Sequence, residues 1–169
     1  SITTQHRFTY KLFVAGYKKY LSMPGSCYKL HTTAKSWIDA FKVCEAEQAH
    51  IIILNSAEEA KLSADIFLEY TRANSKSTHK GAAMNLNNSY FLCLCFKYLV
   101  NIVGQKLESA GYSEWQDGQP DNIRNKEHCG TLMVGLGRKL DDKSCESQLL
   151  FMCERNISQA VSMLEIFNC

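Results

Sequence analysis

Eight cysteines in a chain of 169 residues are the feature that most limits how this sequence can fold. Such a density is typical of proteins that form disulfides in an oxidising compartment, so we expect a secreted, extracellular protein. A zinc site explains the cysteines poorly, because no Cys-x-x-Cys pair occurs and Cys93-Leu-Cys95 has the wrong spacing. The sequence therefore predicts a fold held together by disulfide bridges.

Length, charge and hydropathy exclude several other classes of protein. The length suits one domain with a proper core, and a net charge of +2 gives no reason to expect a nucleic-acid partner. The most apolar stretch, residues 91–103, contains Lys97 and Asn101 and is too short to span a membrane. No charged segment followed by an apolar run opens the chain, so we expect a signal peptide to be absent or already removed.

Several side chains that carry oxygen lie close to two cysteines in the second half of the chain. They are Gln119, Asp121, Glu127, Asp141 and Asp142, near Cys129 and Cys145. Carboxylate and amide oxygens are the ligands that calcium takes in proteins, and a bridge between the two cysteines would bring the acidic segments together. A polar surface loop with scattered acids is the alternative, and it explains the combination of acids and cysteines less well.

Hydrophobic periodicity predicts two helices in the first half of the chain. The first is expected over residues 36–48, where an apolar stripe turns Cys44 toward the core. Ser56 and Glu59 have the spacing of a capping box, which predicts the start of a second helix that runs to about residue 72. Strands are predicted at 27–31 and 51–54, a strand pair within 91–103, and closing strands at 129–136 and 149–153. Residues 73–89 are polar and predicted to be a loop.

Three short motifs resemble the carbohydrate-recognition domain of the C-type lectins, and insect immulectin-like lectins most of all. They are Trp-x-x-Gly-Gln-Pro-Asp-Asn at 115–122, Glu-x-Cys-Gly at 127–130, and the acidic pair ahead of Cys145. The resemblance implies an α+β, C-type lectin-like fold of two helices and antiparallel strands with a long calcium-binding loop, stapled by disulfides. The lectin-like domain would cover 28–154, after an N-terminal extension and first strand region at 1–27. Residues 155–169 would form a C-terminal tail, for which a stripe of apolar residues suggests a helix.

The same resemblance implies the disulfide pairing. It predicts Cys44–Cys153 and Cys129–Cys145, and leaves Cys27, Cys93, Cys95 and Cys169, which allow three pairings. A Cys27–Cys169 bridge is sterically reasonable, because the ends of such a domain lie close together. Cys93 and Cys95 can instead be buried and free. An oligomer formed through unpaired cysteines or through the C-terminal tail therefore stays an open alternative.

The ligands implied by the resemblance are one calcium ion and a sugar. The metal set would be Gln119, Asp121, Glu127, Asp141 and Asp142, and the first four would also contact carbohydrate. Gln-Pro-Asp goes with galactose-type sugars in this family, and the Gln119–Pro120 bond is expected to be cis. The implied function is recognition of microbial glycans in innate immunity, with lipopolysaccharide as a further candidate ligand. Two sequons, at Asn87 and Asn156, predict a glycoprotein.

Departures from the family pattern keep a second function open. Asp141 stands where the family usually has Asn, and a carboxylate cannot donate a hydrogen bond as an amide can. The alternative is a calcium-independent protein-interaction or structural domain of the same fold. An enzyme is not expected, because the sequence supplies no pairing of a nucleophile with a base.

Overall fold

The computed structural model describes residues 16–74, 91–97, 100–101, 109, 111–135 and 137–157. Within these residues the chain forms two α-helices, one short 3-10 helix (Ile123–Asn125) and eight strands. The α-helices are α1 (Trp37–Ala46) and α2 (Ala57–Asn74). The strands are β1 (Lys18–Tyr20), β2 (Met23–Lys35), β3 (His50–Ile51), β4 (Phe91–Lys97), β5 (Val100–Asn101), β6 (Cys129–Met133), β7 (Lys139–Lys143) and β8 (Leu149–Asn156).

The strands of the described residues form one sheet with the order β1-β2-β8-β4-β6-β7, while β3 pairs with β8 and β5 pairs with β4. All of these pairs are antiparallel except β4 with β8. The β2–β8 pair joins the first and last parts of the described chain, with Ser26 of β2 opposite Asn156 of β8. The strand at the outer edge is β7, which carries both Asp141 and Asp142.

The core has two parts, because alternate residues of a strand point to opposite faces of the sheet. Tyr28 of β2 and Met152 of β8 pack on the side of α2. Their neighbours Cys27 and Cys153 pack on the other side, against α1. Cys27 and Tyr28 thus face opposite sides of the sheet, as the strand predicted at 27–31 requires.

The first helix is attached covalently to the centre of the sheet. Cys44 is fully buried and forms a disulfide with Cys153 of β8, with 5.5 Å between the Cα atoms. Ser36 caps the helix, since its Oγ accepts a hydrogen bond from the N–H of Asp39 at 3.4 Å. The predicted inward position of Cys44 and its predicted partner are both confirmed.

The second helix begins with the predicted serine cap, but its glutamate bonds differently from a capping box. The N–H of Glu59 donates to Ser56 Oγ at 3.1 Å. The Glu59 carboxylate accepts from the N–H of Asn55 at 2.9 Å and from the hydroxyl of Tyr28 at 2.5 Å. Burial, together with the charge of Glu154, raises the pKa of Glu59 above its ordinary value. This carboxyl therefore connects helix and sheet inside the core.

Some sequence expectations need correction. Lys18 and Lys19 form part of β1, a strand that the sequence did not predict, and they pair with Tyr28 and Cys27 of β2. The predicted strand at 51–54 is shorter and lies at His50–Ile51. The strand predicted at 27–31 is part of the longer β2.

Other expectations fall partly or wholly outside the described residues. Cys27 is buried and disulfide-bonded. The predicted Cys27–Cys169 bridge lies outside the described residues, as do Asn87 and the tail from 158 onward. In the part of the chain that is described, no helix is both long and apolar enough to cross a membrane.

Candidate functional site

The acidic loop is attached to the sheet through β7. Trp115 forms an isolated parallel bridge with Leu140, in which the N–H of Leu140 donates to Glu114 O at 2.7 Å and the N–H of Gln116 donates to Leu140 O at 2.9 Å. Trp115 also packs against the core beside α2. The start of the loop is therefore fixed next to the strand that carries the two acids.

A glycine permits the close approach of the chain just before this loop. Gly111 has a φ of +113°, and a Cβ at this position would lie 2.1 Å from the carbonyl oxygen of Asn55. The next residue, Tyr112, is buried and donates its hydroxyl hydrogen bond to the carbonyl of Arg138. The loop thus begins from a position that only a residue without a side chain can occupy.

The Gln-Pro-Asp segment turns back on itself at a cis peptide bond. The Gln119–Pro120 bond is cis, which confirms the expectation from the sequence. The N–H of Asp121 donates to Gln119 Oε1 at 3.0 Å, and Gln119 Nε2 lies 3.4 Å from Asp121 Oδ2. The amide and the acid of this segment are therefore neighbours.

Asp142 is the residue that holds the loop against β7. Its Oδ1 accepts from the N–H of Asp121 at 3.1 Å, and its Oδ2 accepts from the N–H of Asn122 at 2.8 Å. Asp142 is buried, so these two hydrogen bonds satisfy a carboxylate that water reaches poorly. The contact brings together acids that are 21 residues apart in the sequence.

Left-handed backbone conformations shape the turn between the two acidic segments. Asn122, Arg124 and Asn125 have φ values of 46°, 57° and 56°, which are uncommon for residues other than glycine. The side chain of Asn122 stabilises the turn, since its Nδ2 donates to Asn125 Oδ1 at 3.0 Å and its Oδ1 accepts from the N–H of Glu127 at 3.0 Å. The turn thereby directs Glu127 toward the other acids.

Carboxylate oxygens of Asp121, Glu127 and Asp142 all lie within 4.8 Å of one another. Asp121 is exposed, Glu127 is partly buried and Asp142 is buried, so the cluster opens to solvent on one side. Burial raises the pKa of Glu127, although the charge of Lys143 opposes the shift. The structure therefore brings three of the five predicted site residues, Asp121, Glu127 and Asp142, into one group. Gln119 is hydrogen-bonded to Asp121 of this group.

Asp141 lies beside the group and is paired with a lysine that the sequence analysis missed. Lys143 Nζ is 2.8 Å from Asp141 Oδ2 and 3.8 Å from Glu127 Oε1. Burial opposes the charge of Lys143, but its hydrogen bond to Asp141 and the nearby acids outweigh burial and raise its pKa. The sequence did contain a signal for this pair, because Asp141 and Lys143 are two residues apart and residues two apart on a strand share a face.

The oxygen atoms of the site fit a hard cation. Among the described residues, Glu127 Oε2 and Asp141 Oδ1 are buried and have no hydrogen-bond partner. Buried acceptors of this kind are rare and are satisfied by protein, water or an ion. The carboxylates of Asp121, Glu127 and Asp142 are oxygen donors of the kind that calcium prefers, and Asp141 and the amide of Gln119 are the further oxygen-bearing side chains predicted for the same ion.

A disulfide fixes the two acidic segments relative to each other. Cys129 and Cys145 are bonded, with 5.1 Å between their Cα atoms, which confirms the predicted pair. Cys129 begins β6 directly opposite Lys143 of β7. The carbonyl of Cys145 also accepts from the N–H of Trp37 at 2.9 Å, which links the site to the start of α1.

A second group of metal-binding residue types lies elsewhere but does not form a metal site. It comprises His31, Glu47 and Cys153. The sulfur of Cys153 is in the disulfide with Cys44, so no thiolate is available there. Glu47 instead accepts from Tyr17 at 2.9 Å and pairs with Lys29 at 2.6 Å, a structural role in joining α1 to β2.

Comparison with known proteins identifies the family. Residues 33–155 match the family model described as Lectin C-type domain. The chain belongs to the C-type lectin family. This C-type lectin domain is 33% identical over 133 residues to the hemolymph lipopolysaccharide-binding protein of Periplaneta americana, a match that covers 75% of this chain and 48% of that protein. The domain therefore spans about half the length of that relative.

Solved structures show the same fold at low sequence identity. The carbohydrate-recognition domain of the mouse scavenger receptor C-type lectin aligns with a TM-score of 0.61 and 19% identity, over 83% of this chain and 95% of that one. A calcium-independent type II antifreeze protein aligns with a TM-score of 0.61 and 16% identity, over 85% of this chain and 93% of that one. The predicted C-type lectin-like fold is confirmed, and membership of the family agrees with the expectation of a binding domain.

Proposed function

We propose that this domain binds carbohydrate through calcium, at a site formed by Gln119, Asp121, Glu127, Asp141 and Asp142. The observation that carries the proposal is the grouping of three carboxylates within 4.8 Å. Two further features support it: the hydrogen bond from the N–H of Asp121 to Gln119 Oε1 at 3.0 Å, and the buried oxygens of Glu127 and Asp141 that have no hydrogen-bond partner among the described residues.

The residues of the site divide the work between holding an ion and contacting a sugar. Calcium would supply positive charge and open coordination positions for two vicinal hydroxyls of a sugar. Gln119 can donate a hydrogen bond to such a hydroxyl as well as accept one, whereas Asp121 only accepts when ionised. This order of amide and acid supports galactose-type sugars as the ligand class. Asp141 would add a second acceptor in place of the amide that is usual in the family.

The wider role that we propose is recognition of microbial surface glycans by a secreted protein in innate immunity. Support comes from the relative named as a hemolymph lipopolysaccharide-binding protein and from the two disulfides. Arg124 and Lys126 are exposed beside the acidic group, and their charge suits an anionic glycan such as lipopolysaccharide. Asn156 is exposed at the end of β8, as an N-glycosylation site requires.

We also propose that residues 28–154 form the lectin domain, with β1 and the first residues of β2 added to its sheet by the segment before it. Assembly through cysteines outside the described pairs, or through the tail at 155–169, stays a prediction. Electrophoresis without reductant would test the disulfide-linked form.

Affinity chromatography tests the proposed function directly. The wild-type protein should be retained on galactose resin in calcium and be released by a chelator, with weaker retention on mannose resin. Asp121→Ala should not be retained, because it removes an acid from the group without removing buried structure. The matched control is Asp117→Ala, since Asp117 is an exposed acid of the same loop whose only described pairing is with Lys139 at 3.3 Å. Equal loss of retention in both variants, or wild-type retention that a chelator does not change, would contradict the proposal.

A second candidate function is a calcium-independent protein-interaction or structural domain. The observation that favours it is Lys143, whose ammonium already contacts two carboxylates at the site. A domain with its own cation there has less need of calcium. Absence of calcium uptake together with an unchanged fold in chelator would favour this function.

A further inference from the structure

One ammonium group is built into the acidic site. Lys143 Nζ lies between Asp141 Oδ2 at 2.8 Å and Glu127 Oε1 at 3.8 Å. The side chains are partly or fully withdrawn from water, with 29% exposure for Lys143, 14% for Glu127 and 5% for Asp141. Ion pairs in such a setting are screened less by solvent and salt than pairs on the surface.

The charge balance explains why this lysine matters. Asp121, Glu127 and Asp142 have carboxylate oxygens within 4.8 Å of one another, and Asp141 is adjacent in sequence to Asp142. Like charges at such distances repel and disfavour the compact loop. Lys143 forms ion pairs with Glu127 and Asp141, whereas Lys139 of the same strand pairs with Asp117 outside the group.

We propose that Lys143 is an internal counter-cation that takes over part of the charge of calcium. It stabilises the acidic loop when no metal is bound, and it competes with the metal for Glu127 and Asp141, so that it weakens calcium affinity. The inference rests on the proposed function, because it assumes that these acids also bind calcium. It goes beyond that function by naming the residue that sets the balance between the metal-bound and metal-free states.

Three variants test this role. Lys143→Met keeps the length of the side chain and removes its charge, and Lys143→Arg keeps the charge. Lys139→Met is the matched control, because it makes the same change in net charge on the same strand. Lys139 lies four residues away, which is about 13 Å along a strand and beyond the screening length of about 8 Å at physiological ionic strength.

Calcium affinity by calorimetry and melting in chelator are the two measurements. Lys143→Met should bind calcium about tenfold more tightly than wild type, because a competing charge about 4 Å from the ligands is gone. In chelator the same variant should melt about 2–4 °C lower than the wild type, which is the shift that a modest loss of stability produces in a domain of this length. Lys143→Arg and Lys139→Met should stay within about twofold of wild-type affinity.

The outcomes separate the two proposals. Equal calcium affinity in wild type and Lys143→Met, or a lower affinity in the variant, would overturn the role of Lys143 while leaving the proposed function in place. If neither protein binds calcium up to about 10 mM, above the range of extracellular calcium sites, the proposed function fails. The melting comparison then decides alone whether Lys143 neutralises the acids. Calcium uptake by Lys143→Met but not by the wild type would support the inference. If Lys143→Met does not fold, Lys143→Gln replaces it in both measurements.

Discussion

Asp142 Oδ1 accepts a hydrogen bond from the backbone N–H of Asp121 at 3.1 Å. The buried acid at the edge of the sheet therefore shapes the loop whose exposed acid we expect to contact the ion. Asp142 holds the loop and Asp121 is the expected ligand of the ion, so substitutions at the two positions should have different effects.

Asp142→Ala should lower stability as well as calcium binding. It leaves the N–H groups of Asp121 and Asn122 without their acceptor, at a cost of about 1–3 kcal/mol in the free energy of unfolding. Asp121→Ala should abolish calcium binding with a change below about 0.5 kcal/mol, because its side chain is exposed. Urea denaturation in chelator measures both effects. Equal stability of the two variants would contradict this division of roles.

Glu59 should make the stability of the domain decrease as pH rises. Its pKa in the folded protein is raised above the ordinary value of 4.5 by burial and by the charge of Glu154. The folded state therefore holds the proton more tightly than the unfolded state. Its contribution to stability is complete below pH 4.5 and is lost as pH rises toward the folded pKa. Glu59→Gln should flatten this part of the profile.

Denaturant unfolding at a series of pH values checks the role of Glu59. A glutamine can still accept from the N–H of Asn55 and donate to the Tyr28 hydroxyl, so the variant should fold. Glu58→Gln is the control, because Glu58 is the exposed neighbour on the same helix turn. If Glu58→Gln changes the profile as much as Glu59→Gln does, the effect is a general one of charge and not of the buried carboxyl.

Gly111→Ala should be strongly destabilising although it adds one methyl group. The new Cβ would lie 2.1 Å from the carbonyl oxygen of Asn55, at a φ of +113° that other residues rarely adopt. We expect a loss above about 2 kcal/mol in the free energy of unfolding. Gly118→Ala is the comparison, since a Cβ there has nothing within 4 Å despite a positive φ. A similar cost at both glycines would show that φ and not the contact with Asn55 dominates.

The order of amide and acid around Pro120 should determine sugar preference. Gln119→Glu combined with Asp121→Asn moves the hydrogen-bond donor from one side of the site to the other. We expect binding to shift from galactose-type toward mannose-type sugars on a glycan array. Each single substitution provides a control for altered charge. Identical sugar profiles of wild type and the double variant would show that this segment does not control selectivity.

The sequence was sufficient for the parts of the fold that depend on local patterns. The apolar stripe that turns Cys44 inward, the serine cap at Ser56 and the alternation of Cys27 and Tyr28 are each set by a few neighbouring residues. The capping-box spacing predicts that the Glu59 carboxylate accepts a hydrogen bond from the N–H of Ser56. In the structure it accepts from the Tyr28 hydroxyl and from the N–H of Asn55 instead. Tyr28 lies on a strand that is distant in the sequence, so this partner leaves no local signal.

The acidic site was predictable in its members but not in its arrangement. Asp121, Glu127 and Asp142 were found by residue type and by resemblance, and they do converge. The pairing of Lys143 with the acids was not predicted, because it depends on residues 139–143 forming a strand. Their charged composition does not indicate a strand. Once β7 is known, the two-residue spacing from Asp141 to Lys143 places both on one face.

The Cys44–Cys153 bridge joins residues that are 109 positions apart, and the whole acidic loop lies between them. A protease that cuts after the exposed Arg124 or Lys126 would therefore release no fragment, because both pieces remain covalently attached through α1 and β8. The cut chain keeps the hydrogen bonds of its sheet and can hold its loop ends near their places. A domain that has been cut once in this exposed loop would therefore stay a single molecule until the disulfide is reduced.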